Sequence, residues 1–91
     1  MDTFTLHIKK NEKIKHINLN VKNTHFMCLT KEDNLFLILK CQDIDNVIDK
    51  ELIRIIPFHN YFVTFPFNEL TFYCMNQHRN QDILIHFEQE L

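Results

Sequence analysis

Ninety-one residues with a formal charge of −2 and an apolar content of 45% make one domain, residues 1–91, of ordinary globular composition, which excludes a disordered chain. No apolar run exceeds six residues, too short for a membrane-spanning helix. Glycine is absent, which removes the phosphate-cradling loops of nucleotide-binding enzymes.

Alanine, serine and tryptophan are missing too, while there are 10 Asn, 11 Ile, 8 Lys and 9 Phe against two Arg. Residues with AT-rich codons are favoured throughout, which points to the genome of a virus or another AT-rich source. Cys28, Cys41 and Cys74 are odd in number and widely spaced, so no disulfide framework is expected. The opening Met1-Asp2-Thr3-Phe4 has no basic stretch leading into an apolar one. The expected location is intracellular, in the cytoplasm or nucleus, of the host cell if the source is viral. Charge is uneven. Residues 1–31 carry six lysines against Asp2 and Glu12, net +4, and residues 32–91 carry four basic against ten acidic groups, net −6.

Along the chain, Phe4, Leu6 and Ile8 alternate with Thr5, His7 and Lys9, the period of two of a half-buried strand. A turn at Asn11 leads to a second alternating segment, Ile17, Leu19 and Val21, and the two are expected to pair as a hairpin. Ile14 falls on the opposite parity, which suggests a bulge near Lys15. Residues 25–29 read as a short strand and 35–41 as a longer one. The latter is apolar on both faces, as in a central strand or one whose second face is covered.

Ile44, Val47, Ile48, Leu52 and Ile55 then recur at helical spacing. Asp43 and Asp45 stand at the start, Lys50 and Arg54 near the end, and Pro57 beyond, which predicts a helix over about 44–54. The β-branched Ile53, Ile55 and Ile56 leave a strand over 52–56 as the alternative. Residues 61–65 form a strand candidate, and 70–75 and 82–88 a final hairpin around the polar loop 76–81. The expected fold is mainly β, a small antiparallel β-sandwich or barrel of about seven strands with one short helix, with α+β as the alternative.

Chemistry is sparsely represented. His25, Cys28, Cys74 and His78 have the composition of a structural zinc set. However, residues three apart on a strand face opposite ways, so they are weak candidates and no metal is expected. The cysteines sit in apolar strand patterns where thiols are buried and inert, and no serine is present, so no catalytic site, enzymatic activity or cofactor is expected.

The unusual feature is aromatic: Phe58, Tyr61, Phe62, Phe65 and Phe67 fall within ten residues. Rings on both faces of one strand exceed what a small core absorbs, which marks these five as candidate partner-binding residues. The expected function is a non-catalytic protein-interaction module, a subunit or regulator of a larger complex, whose partner is another protein or a second copy. The alternative is a small β-barrel nucleic-acid-binding protein using the basic stretch Lys9, Lys10, Lys13 and Lys15. No membrane partner is expected.

Overall fold

The computed structural model describes residues 2–19, 23–43, 46–49, 52–64, 69–76 and 78–90. Each expected strand has a counterpart: β1 (Asp2–Ile8), β2 (Ile14–Asn18), β3 (Asn23–Cys28), β4 (Leu35–Asp43), β7 (Asn60–Thr64), β8 (Glu69–Cys74) and β9 (Ile83–Glu90). However, β2 starts earlier than the alternation of Ile17, Leu19 and Val21 implies, with Leu19 beyond its end and Val21 outside the described residues. The seven expected strands are therefore all present, and the fold is mainly β, with two antiparallel sheets.

The expected helix does not form in the described part of its span; Ile44, Asp45, Lys50 and Glu51 lie outside the described residues. Its span holds two further strands instead, β5 (Asn46–Asp49) and β6 (Ile53–Arg54), and no helix occurs among the described residues. The cause is β4. It is nine residues long and pairs with β8 on one side, which leaves a second row of backbone groups to satisfy. Asn46–Asp49 folds back on Lys40–Asp43, and Ile53 and Arg54 pair with Leu37 and Phe36. The β-branched residues that weaken a helix suit this pairing, so tertiary context overrides the helical spacing. β4 is thus the central strand that its two apolar faces indicate.

Strand order is β1-β9-β3-β7 in one sheet, sheet A, and β2-β8-β4-β5 in the other, sheet B, with β6 also on β4. The chain changes sheet at β1–β2, β2–β3, β3–β4, β6–β7, β7–β8 and β8–β9. This corrects two pairing expectations. The turn after β1 is real, with the Glu12 N–H donating to the Lys9 carbonyl at 2.8 Å, but β1 pairs with β9 and β2 with β8. Strands β8 and β9 likewise lie in different sheets. Both connections are arches between sheets, because alternation identifies a strand but not its neighbour. No bulge interrupts β2: Ile14 to Asn18 run in unbroken register with Tyr73 to Glu69, and Ile14 simply points outward, 45% exposed.

Inward residues from both sheets make one core. Phe26 and Phe87 of sheet A meet Phe72 of sheet B edge-on, with ring centroids 5.6 and 6.2 Å apart. Phe4 stacks on Phe87 at 4.8 Å, and Ile8, Leu35, Leu70, Ile83 and Ile85 close around them.

Turns without glycine need other residues. At the β6–β7 connection, Pro57 and Phe58 form a type II turn closed by the His59 N–H on the Ile56 carbonyl at 3.3 Å. Its third position favours glycine but holds Phe58 at φ 67°. The aromatic ring is 56% exposed, so no burial offsets the backbone strain.

Candidate interaction surface

Alternation also sets what the outer face of sheet A displays. With Thr24, Phe26 and Cys28 inward on β3, His25 and Met27 face out; with Val63 inward on β7, Phe62 and Thr64 face out. Cross-strand register aligns these positions into rows. One reads Thr3, Glu88, His25, Phe62, and the next Thr5, His86, Met27, Asn60.

Phe62 ends its row at the sheet edge and is 74% exposed, far more than a ring of its size needs to be. One face leans on His25, with ring centroids 5.0 Å apart and planes inclined by 30°. Beside it lies a groove of about 190 Å³ walled by Asn23, His25, Phe62, Thr64, Glu88 and Glu90. Glu88 stands between two imidazoles, 3.6 Å from His25 Nδ1 and 3.5 Å from His86 Nε2. The Asn23 amide donates to Glu90 at 3.2 Å. The sequence signal for these outward groups is the alternation of His86 and Glu88 with the apolar Ile85 and Phe87.

The other aromatics divide. Phe58 is exposed on its turn, next to the end of β3, where its N–H donates to the Cys28 carbonyl at 2.9 Å. Tyr61 faces inward and stacks on Phe26 at 5.3 Å; its hydroxyl accepts the Ile56 N–H at 2.7 Å and donates to the Arg54 carbonyl at 3.5 Å. It anchors the β6–β7 turn. Phe65 and Phe67 lie outside the described residues.

The lysines occupy the opposite corner. Lys9, Lys10 and Lys13 are exposed on the β1–β2 arch, whereas Lys15 is half-buried and reaches Glu12 at 3.4 Å. The Lys9 N–H also donates to the Glu12 carboxylate at 3.0 Å, and this bond, aided by Lys15, holds that carboxyl below its usual range. Lys9 stands about 20 Å along the strand direction from the Phe62 row and about 14 Å across it.

Beneath the arch lies Arg79, 9% exposed. Its guanidinium donates to the carbonyls of Lys9, Glu12 (2.6 Å) and Asn76 (3.3 Å), while Lys10 N–H donates to Asp82 at 2.9 Å. One side chain from the β8–β9 arch therefore clamps the β1–β2 arch. The sequence places Arg79 in a polar loop, and nothing local marks a cation that is buried by a chain segment 67 residues away.

The weak metal candidates do not converge. His25 faces solvent, Cys28 and Cys74 are buried in the core, and His78 is exposed in the β8–β9 arch. Among the described residues no three His, Cys, Asp or Glu side chains are placed to share a metal ion. Burial pushes the Cys28 thiol above its ordinary pKa, the state of an unreactive core cysteine. No described helix is long and apolar enough to cross a membrane. Compared with known protein families, curated proteins and solved structures, the chain matches none.

Proposed function

We propose that this chain is a non-catalytic protein-interaction module, a subunit or regulator of a larger complex, which docks through the β7 edge with Phe62 as its anchor. The carrying observation is Phe62: a phenyl ring 74% exposed on an edge strand that pairs only with β3 among the described residues. Burying such a ring contributes about 2 to 3 kcal/mol, the scale of an interface hot spot. Residues Asn60–Thr64 carry no charge, so nothing along the strand opposes a partner. Phe58 and the groove bordered by Glu88 and Glu90 extend the contact on either side.

Nucleic-acid binding through Lys9, Lys10 and Lys13 is the second reading, favoured by their exposure on an arch that Arg79 holds in place. It ranks lower because the exposed ring is remote from these lysines and bordered by carboxylates, the reverse of a stacking platform in a basic groove.

A pull-down from the native host with and without nuclease, using wild type and Phe62→Ala, separates the two. Retention of a protein after nuclease, lost in Phe62→Ala, supports docking. Recovery that collapses with nuclease and with charge reversal at Lys9, Lys10 and Lys13 supports the second reading and overturns the first.

A further inference from the structure

Building on that reading, we infer that the β7 edge takes a second copy of this chain, strand to strand and antiparallel, about a two-fold axis at Phe62.

Backbone polarity comes first. The Leu29 N–H donates to the Leu84 carbonyl at 2.8 Å, in register with the β3–β9 ladder. Odd-numbered residues of β3 therefore direct their backbone groups to β9, and even-numbered ones direct theirs to β7, because hydrogen-bonded pairs alternate along antiparallel strands. The Phe58 N–H on the Cys28 carbonyl agrees with this parity. Phe26 and Thr24 thus engage Tyr61 and Val63, and Asn60, Phe62 and Thr64 turn their N–H and C=O groups to the open side.

Symmetry comes second. Phe62 is the middle residue of a five-residue strand, and it is also the most exposed hydrophobic described. An isologous contact is self-complementary about its axis. Pairing centred on Phe62 sets it against Phe62 of the second copy and sets Asn60 against Thr64 in both directions. All three outward residues of each copy then fill both of their free backbone bonds. The two Phe62 rings become adjacent on one continuous sheet face, each still flanked by its own His25.

Charge comes third. No charged side chain lies on β7, so self-pairing brings no like charges together there. The other edges with described side chains are less suited. On β2 the outward residues are Ile14, His16 and Asn18, so the centre of the strand holds a polar histidine where β7 holds an exposed apolar ring. On β1 the outward residues are Thr3, Thr5 and His7, with no exposed apolar ring to drive association. A five-residue strand contact lies at the small end of stable interfaces, so the dimer forms with rising concentration and is not obligate.

The test is a cysteine series with the register built in. Two-fold pairing sets the Cα atoms at position 62 about 5.5 Å apart, within disulfide range. Phe62→Cys should therefore oxidise to a covalent dimer. Asn60→Cys alone and Thr64→Cys alone should not, because each lies about 13 Å from its own copy. Mixing those two variants should restore cross-linking. Sedimentation should show wild type dimerising with concentration and Phe62→Lys remaining monomeric with an unchanged thermal midpoint. A wild type that stays monomeric, or cysteines that cross-link equally at positions 60, 62 and 64, overturns the second-copy assignment. If wild type is monomeric yet a different protein is captured and lost in Phe62→Ala, this inference fails while the docking role stands. If neither association is found, both fail.

Discussion

Replacing Arg79 by alanine should destabilise the domain severely, although the residue sits in a polar loop. Its guanidinium satisfies the carbonyls of Lys9, Glu12 and Asn76, tying the β8–β9 arch to the β1–β2 arch. Hydrogen bonds from a charged donor contribute about 1.5 to 3 kcal/mol each when neither partner can be rehydrated. These carbonyls belong to surface arches that water re-enters once the side chain is gone, so roughly half of the summed value should survive, about 2 to 4 kcal/mol. A domain of this size holds roughly 5 to 14 kcal/mol in total, so the loss is a large share. The midpoint of thermal unfolding should fall by about 10 to 25 °C. Urea unfolding followed by circular dichroism measures the free-energy loss and a thermal melt the midpoint, with Arg79→Lys as the informative control. A lysine ammonium keeps the charge but lacks the planar fork that reaches several carbonyls at once, so it should restore less than half of the loss. If Arg79→Ala lies within about 0.5 kcal/mol of wild type, the range of an ordinary surface substitution, the clamp does not hold the arches and the reasoning fails.

Phe58→Gly should stabilise the domain by about 0.5 to 1 kcal/mol, because relief of the left-handed backbone, about 1 to 2 kcal/mol, exceeds the entropy cost of glycine. Calorimetry checks this, and Phe58→Ala, which keeps a Cβ, should not share the gain. Phe72→Ala should lose about 3 to 5 kcal/mol while Phe62→Ala changes stability by less than about 0.5 kcal/mol in urea melts, since one ring is fully buried and the other is exposed. The Cys28 thiol has a raised pKa in the folded state, so the folded protein holds that proton more tightly than the unfolded chain does. Its contribution should be complete below the ordinary thiol pKa and be lost as pH rises through the folded value. Cys28→Ala should flatten that alkaline limb in a stability–pH series.

Period-two alternation in residues such as Phe4, Leu6 and Ile8, or Ile83, Ile85 and Phe87, made the strands legible, since inward positions of a half-buried strand must be apolar. Their partners were not legible. Ile8 and Ile83 face each other across most of the chain, and no local property distinguishes an arch between sheets from a hairpin within one. The failed helix has the same origin. Val47 and Ile48 fit either period, and the unfilled side of β4 decided between them. In the candidate surface, Phe62 was foreseeable from the crowding of aromatics, but its exposure depends on β7 being an edge, which is a property of topology. Tyr61 alternates with it and points to the core, so neighbours in one aromatic run take opposite roles.

Six sheet changes along the chain leave most strand pairings non-local, so folding should be slow for the domain's size. The same arrangement leaves the β7 edge without the charge or proline that commonly guards such an edge.

Backbone amide exchange across β7, read residue by residue by nuclear magnetic resonance, tests the central claim most directly. In dilute free protein, Asn60, Phe62 and Thr64 should exchange quickly while Tyr61 and Val63 are protected by β3. Once the partner is bound, whether a second copy at high concentration or the protein recovered by pull-down, the three open amides should become protected. Protection that appears at Lys9 to Lys13 while β7 stays unchanged would contradict the account and move the binding surface to the basic arch.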